Sequence, residues 1–448
     1  RWATTDIVMN FFVLLAIYFF VRLYQSDFKQ KNDAYLFYLA MALGFMTKGP
    51  PAVIIPCMVA VIFLMATRRQ GSWSQMRICQ GLVILLLVIL PWFTTMFFLH
   101  GDEFKDHIVG AEISNRLVHD TPFSLYFFGV LFRYHMPWVF FFLVAFFHEF
   151  GIWDHSLSSV SGLSKGLRQV LSNMKARVRL LFARENESAL LCYIWILVCL
   201  VLFTLVRTEH SRYMLPASSA VAILVAKFFA DMEKTEADWQ GYKVTTILTG
   251  IIFLVTAIFS CGALYVFNLI YSVPIHFFIL PVLFLLASIS VLGLRKKRQY
   301  GKQVFAISFS LVFAFSFLSG EVIPHLSRYP MKLFSEKILA DKFSGSTGVY
   351  RLGNQRAKLG VLTGLKVFGF FHPSQIQEFM DTDEQVLIVM REKDLQEIFS
   401  SVPLKVVAED IAWLRGRVDW ERLKELFGET ESVGVSSLTE KIYLLSNK

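Results

Sequence analysis

Charge is the scarcest commodity in this 448-residue chain: Asp, Glu, Lys and Arg make up 18% of it, against roughly 25% in soluble proteins. The deficit is uneven. Residues 331–448 carry 33 charges in 118 positions, whereas the first 330 residues carry only 46. The first three-quarters, rich in the chain's 45 phenylalanines, has more apolar surface than a soluble core could hide. It reads as membrane, and the last quarter has soluble composition. Paired cysteines are also missing. Cys57, Cys79, Cys192, Cys199 and Cys261 form no CxxC, lie in or beside apolar runs and are absent from the last quarter, so they read as small core residues. No internal repeat is visible. The net charge of +9 divides into +10 before residue 331 and −1 after it, and the soluble part holds no basic groove interleaved with aromatics. The excess therefore belongs to membrane loops and not to a nucleic-acid surface. These absences exclude a wholly soluble, disordered, fibrous or disulfide-stapled chain.

Ten apolar runs approach the 17–25 residues that cross a bilayer: 7–24, 34–47, 51–67, 80–99, 125–147, 189–206, 214–230, 244–270, 276–294 and 303–322. The second is short, and Lys48-Gly49-Pro50-Pro51 separates it from the third, as in a tilted or broken helix. Irregular backbone at membrane depth is tolerated only where it is buried in protein or lines a cavity. Alternate loops hold nineteen and six Lys/Arg, with Arg295-Lys296-Lys297-Arg298 in the richer set. Basic loops stay inside. Arg1, the Lys-Gly-Pro turn, the loops 100–124 and 207–213 and the soluble tail are thereby expected outside the cytoplasm. The fold class is a polytopic α-helical membrane protein with about ten spans (1–328) and a small extracytoplasmic α/β domain (329–448). In that domain the strands are expected at Gly348–Leu352, Lys366–Phe371, Gln385–Arg391, Leu404–Ala408 and Lys441–Leu445, and helices at Pro373–Met380, Lys393–Phe399 and Trp420–Phe427.

The ionisable residues left outside are few and concentrated. Asp6 stands at the outer end of the first span, and Lys48 lies in Thr47-Lys48-Gly49-Pro50. The 100–124 loop offers His100, Asp102, Glu103, Asp106, His107, Glu112, Arg116, His119 and Asp120. Arg207, Glu209, His210, Arg212 and Tyr213 precede the seventh run. Carboxylates and cations at one face of a helix bundle suit a reaction with an anionic leaving group. A carboxylate takes a proton from an acceptor hydroxyl, and Lys or Arg neutralises charge developing on a phosphate. Plainer readings stand beside these. Asp6 reads equally as a helix N-terminal carboxylate and Lys48 as a snorkelling interfacial lysine. The 100–124 loop has no HExxH-type spacing and reads as solvated. Arg133 and His135 fall inside the fifth run, where ionisable residues are functional candidates. However, Pro137-Trp138 also fits the true start of a span, with 125–134 as an interfacial helix.

Several elements follow one another in a familiar order: Thr4-Thr5-Asp6, Gly44-Phe45-Met46-Thr47-Lys48-Gly49-Pro50, Glu112-Ile113-Ser114-Asn115-Arg116-Leu117, Pro122-Phe123-Ser124-Leu125-Tyr126, Met136-Pro137-Trp138 and Arg212-Tyr213-Met214-Leu215-Pro216. Order and spacing resemble the bacterial protein-mannosyltransferase/aminoarabinose (lipid A) transferase family of GT-C membrane glycosyltransferases, over essentially the whole chain. The resemblance implies an inner-membrane enzyme with its soluble domain in the periplasm. It implies sugar transfer from a polyprenyl-phosphate (undecaprenyl-phosphate) carrier to a lipid A-like lipid or a protein, with inversion at the anomeric carbon. It also implies site roles: Asp6 as the family's second acidic position, at the cavity mouth, Lys48 near the carrier phosphate and Arg116 in the loop that clamps it. Arg212 and Tyr213 would line the site, Arg212 standing where many members place a lysine just before the tyrosine. A divalent ion bridging Asp6 and the phosphate is compatible with this pattern. Such enzymes usually have about three more N-terminal spans, and their first outer loop carries the principal acidic catalytic motif, typically Asp-Glu. The chain starts at Arg1, without Met or signal peptide, so the resemblance leads us to expect an N-terminally incomplete, inactive protein. The alternative is a multi-span transporter or lipid flippase with an accessory domain. That reading predicts inverted repeats and midplane charges, neither of which the sequence displays.

Overall fold

The computed structural model describes residues 5–106, 125–150, 172, 175–206, 210–235, 240–270, 273–326, 330–343, 345–353, 355–398, 404–413 and 439–448. They fall into two compact units, Arg1–Val255 with Leu286–Ala306, and Thr256–Leu285 with Ile307–Lys448.

The first unit is helical. It contains α1 (Thr5–Gln25), α2 (Lys31–Lys48), α3 (Pro51–Ala66), α4 (Ile78–Asp106), α5 (Tyr126–Tyr134), α6 (Trp138–Glu149), α7 (Glu187–Val206), α8 (Leu215–Thr235) and most of α9 (Gln240–Ile270). α10 (Ile279–Lys296) and α11 (Tyr300–Phe317) contribute to both units. The buried face of α1 runs Asp6, Met9, Val13, Ala16, Ile17, Phe20, Leu23 and Tyr24. This is the three-and-four spacing of one helical stripe, so Asp6 shares the face that meets the bundle. α2 lies antiparallel to it. Arg22 Nε and Asp33 Oδ2 are 3.4 Å apart at the connected end, and Asp6 meets Lys48 at the other. Between them Gly44 permits close approach, because a Cβ there would stand 2.9 Å from Ala52 Cβ of α3 and 3.0 Å from Phe12 Cβ of α1. Small residues at such crossings are how membrane helices gain packing contacts.

Seven helices among the described residues are long and apolar enough to cross a membrane, or eight if the pair α5/α6, bent by 114°, counts as one. The expected runs 34–47 and 51–67 fold as α2 and α3, which are not among those seven. α2 includes Lys31, Asp33 and Lys48, and α3 has 16 residues, about 24 Å of helix against a hydrocarbon core of about 30 Å. The fifth run, 125–147, breaks at His135-Met136-Pro137, where proline ends one helical hydrogen-bond ladder and starts the next. Residues 126–134 therefore form a separate amphipathic segment, in line with the interfacial-helix alternative.

The second unit holds a five-stranded sheet of order β2-β1-β3-β5-β4. Its strands are β1 (Thr347–Tyr350), β2 (Val367–Phe370), β3 (Leu387–Arg391), β4 (Lys405–Trp413) and β5 (Thr439–Ser446). β1 is parallel to β2 and β3, and β5 is antiparallel to β3 and β4. All five expected strands are present. Helix α14 (Pro373–Met380) has the expected bounds, and α15 (Glu392–Ile398) lies one residue from them. The expected helix at Trp420–Phe427 lies outside the described residues. Alternating side chains divide the core as strand pleating requires. Val349, Leu387, Val389 and Leu444 pack on one face with α12 (Pro330–Ala340) and α13 (Gln355–Thr363). Tyr350, Ile388, Met390 and Leu445 pack on the other with Ile376 and Met380 of α14. Helices α12 and α13, absent from the sequence reading, are thus the cover of one sheet face.

Candidate active site: a carboxylate between two cations

The antiparallel hairpin brings opposite helix ends together. Asp6 is in the first turn of α1, where the partial positive charge of a helix N-terminus favours a carboxylate. Lys48 is the last residue of α2, where the C-terminus favours a cation. Each is stabilised by its own helix, and the two face each other: Lys48 Nζ donates to Asp6 Oδ1. Asp6 is 4% exposed, so its charge is compensated by this partner and not by water. The plainer reading of Asp6 as a dipole-stabilised carboxylate is correct in part. Its oxygens are nevertheless spent across the helix pair.

The turn after Lys48 holds the ammonium in place. Gly49 takes φ +87°, and its N–H donates to Phe45 O at 2.7 Å. This conformation is cheap only for glycine. Pro50 and Pro51 then start α3 immediately, Pro51 at a position where a missing N–H costs nothing. Thr47 Oγ1 donates back to Gly44 O at 2.7 Å. The Thr-Lys-Gly-Pro element is therefore a rigid corner whose lysine is aimed sideways at α1.

The third side comes from residues 211–214, a single helical turn ahead of α8. Arg212 Nη1 lies 3.7 Å from Asp6 Oδ2, with its side chain 55% exposed. The Tyr213 ring lies under Lys48 Nζ at 4.8 Å, a cation–π contact. Tyr213 is itself stacked on Phe203 of α7, with centroids 5.1 Å apart and planes at 22°. Four of the five expected site residues, Asp6, Lys48, Arg212 and Tyr213, thus converge from three distant segments. Arg116 lies outside the described residues, as does most of the 100–124 loop. No group of three His, Cys, Asp or Glu able to hold a metal is present among the described residues. Asp6 stands there as a single carboxylate between two cations, so a divalent ion would require donors beyond them.

Two further supports reach this segment, of which the sequence singles out only His135. Tyr134 Oη, at the end of α5, hydrogen-bonds Ser211 Oγ at 2.7 Å. His135 donates from Nδ1 to Leu131 O at 2.8 Å, which leaves Nε2 of the neutral ring to accept from Ser218 Oγ at 2.9 Å. Together they tether the 211–218 stretch to the short helix α5. The sequence singles out His135 as an ionisable residue inside the fifth run and 125–134 as an interfacial helix; nothing in the spacing from 134 to 211 announces a contact. Tyr134→Phe is expected to cost about 1 kcal/mol and to raise amide exchange across 211–214 while leaving α1 and α2 protected. Hydrogen-exchange mass spectrometry reads both.

The model of the dolichyl-phosphate-mannose-protein mannosyltransferase family matches residues 1–94, the stretch that carries Asp6 and Lys48. An uncharacterized protein of Aquifex aeolicus is 23% identical over 232 residues, 51% of this chain and 39% of the relative. An undecaprenyl phosphate-alpha-4-amino-4-deoxy-L-arabinose arabinosyl transferase 2 of Pseudomonas fluorescens is 24% identical over 237 residues, 51% of this chain and 36% of the relative. The aligned stretch thus spans well under half of either relative. Among solved structures, ArnT from Cupriavidus metallidurans bound to undecaprenyl phosphate superposes with a TM-score of 0.63 at 15% identity, covering 99% of this chain and 75% of that one. Its apo state gives 0.62 at 15% identity, covering 100% and 75%. At such identity the superposition speaks for the fold. The chain is a multi-pass helical membrane protein with an ArnT-like GT-C fold, and the family it resembles is the GT-C glycosyltransferases of the ArnT and protein-mannosyltransferase type.

Proposed function

We propose that the chain acts in sugar transfer from a polyprenyl-phosphate carrier to a lipid A-like lipid or a protein, at the extracytoplasmic face of a bacterial inner membrane. The observation that carries this reading is the convergence of Lys48, Arg212 and Tyr213 on the buried carboxylate of Asp6. In the transfer, an acceptor hydroxyl oxygen bonds to the anomeric carbon as the bond from that carbon to the phosphate oxygen breaks. The phosphate goes from diester to monoester and gains one negative charge. Cations placed where that charge develops lower the barrier. Lys48 and Arg212 are the described candidates, and Arg116 is proposed as a third from its place in the sequence. Lys48 moving from Asp6 to the phosphate frees Asp6 Oδ1 to take the acceptor's proton. Support also comes from the relatives: one is named for a transfer from undecaprenyl phosphate, and one solved neighbour binds undecaprenyl phosphate.

The test uses proteoliposomes holding the full protein, supplied with polyprenyl-phosphate-linked sugars and envelope-lipid or protein acceptors. The expected result is release of polyprenyl phosphate that requires acceptor, with inverted product. Movement of the sugar-lipid between leaflets without release would replace this reading by the flippase one. Mass analysis of envelope lipids and glycoproteins from a deletion strain identifies sugar and acceptor together.

A further inference from the structure

The α/β domain contains an open cavity of about 350 Å³ at the carboxyl ends of the parallel strands β1 and β2. Ligands of open α/β sheets bind outside those strand ends, where loops diverge and the strands themselves leave room, and the volume falls within the usual range for small-molecule sites. What distinguishes this cavity is its charge. Arg351 and Arg356 both line it, and none of its lining residues is Asp or Glu. The domain from 331 onward holds 17 acidic residues against 16 basic ones, so a pocket with two cations and no acid is a local arrangement and not a reflection of composition.

Arg351 is held by backbone hydrogen bonds, and Arg356 packs against the backbone of β2. Arg351 follows β1; its N–H donates to Phe370 O at 3.0 Å and its Nε to Phe371 O at 3.1 Å. That fixes the fork across the ends of both strands. Arg356 lies over β2 at Gly369: a Cβ on Gly369 would stand 2.9 Å from Arg356 Cδ and 3.4 Å from Nη1. The glycine is the cradle that lets this side chain lie flat. Arg356 is also the second residue of the nine-residue helix α13, whose first turn has no acidic residue. A cation there opposes the helix dipole, an unfavourable placement that an anion in the cavity would offset. Phe370 and Phe371 add apolar wall beside the two cations.

We infer that this cavity is a binding site for a phosphate-monoester ligand of about sugar-phosphate size, held between Arg351 and Arg356. Its lining residues include neither Asp6 nor Lys48, and the inference does not depend on the glycosyltransferase reading. The phosphate belongs either to a soluble sugar phosphate or to a lipid headgroup.

The full chain in phosphate-free maltoside detergent, titrated with radiolabelled glucose 1-phosphate by equilibrium dialysis, tests it. Saturable binding is expected that weakens about tenfold in Arg356→Gln, the loss of one charge-assisted contact. Gly369→Val, which removes the cradle while keeping both arginines, is expected to weaken it similarly. Arg356 is exposed, so its replacement leaves folding intact. Wild-type binding by Arg356→Gln, or no saturable binding by the parent chain, would overturn the inference. Nanodiscs with and without phosphatidic acid separate the sources: competition by phosphatidic acid identifies a headgroup, and its absence a soluble ligand.

Discussion

Lys48→Met is expected to lower sugar transfer by about 10²–10³-fold, the range seen when one preorganised donor is removed from developing negative charge. Methionine keeps an unbranched stem and removes the ammonium that lies over the Tyr213 ring. Arg212 remains, but it stands 3.7 Å from the carboxylate on a half-exposed side chain, so water screens it and it replaces little of the lost charge. The loss should divide between weaker carrier binding and a slower chemical step, because in the proposed role the lysine meets the phosphate before and during bond breakage. Arg212→Met should show the smaller effect for the same reason of exposure. Steady-state rates and carrier-phosphate binding, both measured below the melting temperature of each variant, check the expectation. Transfer at the parent rate by Lys48→Met would remove Lys48 from the site.

The features legible in the sequence were those encoded within a few residues. The alternation in Gly348–Leu352 and Gln385–Arg391 located strands, and Pro373 marked a helix start. Thr47-Lys48-Gly49-Pro50 marked a corner at a helix end. Asp6 and Lys48 could be nominated because charges are so rare in the apolar runs that each one stands out. What sequence spacing cannot express is which nominated residues meet. The Asp6–Lys48 pair depends on α1 and α2 packing antiparallel, which Gly44 allows through contacts with Ala52 and Phe12 from two other helices. Likewise, Tyr213 reaches Lys48 because Phe203 stacks behind it, and Tyr134 holds Ser211 across 77 residues of chain. The length of a span was also hidden, because an apolar run reports composition. The breaks at Gly49-Pro50 and at His135-Met136-Pro137 report how that run is cut. Helices α12 and α13 escaped because their apolar residues serve only one sheet face, and so form short, weak patterns.

A double-mutant cycle on Asp6 and Lys48 is expected to separate stability from chemistry. Removing one partner of a buried ion pair leaves the other uncompensated, and the two halves of this pair are not equivalent. Lys48→Met strands a carboxylate that is 4% exposed, with one distant cation for company, and should cost about 3 kcal/mol. Asp6→Asn leaves a lysine on a side chain 19% exposed. Its flexible stem lets the ammonium reach the aqueous rim, and the asparagine still offers an oxygen, so about 1 kcal/mol is expected. The double variant removes both charges and should melt above Lys48→Met alone, because no buried charge remains without a partner. Transfer should move the other way: Asp6→Asn lowers it, and the double variant recovers none of what Lys48→Met lost. A pair kept only for folding would regain activity along with stability. Additive melting shifts, or transfer restored in the double variant, would argue against this site. Recovery of stability without recovery of transfer is the outcome that ties this ion pair to the chemistry.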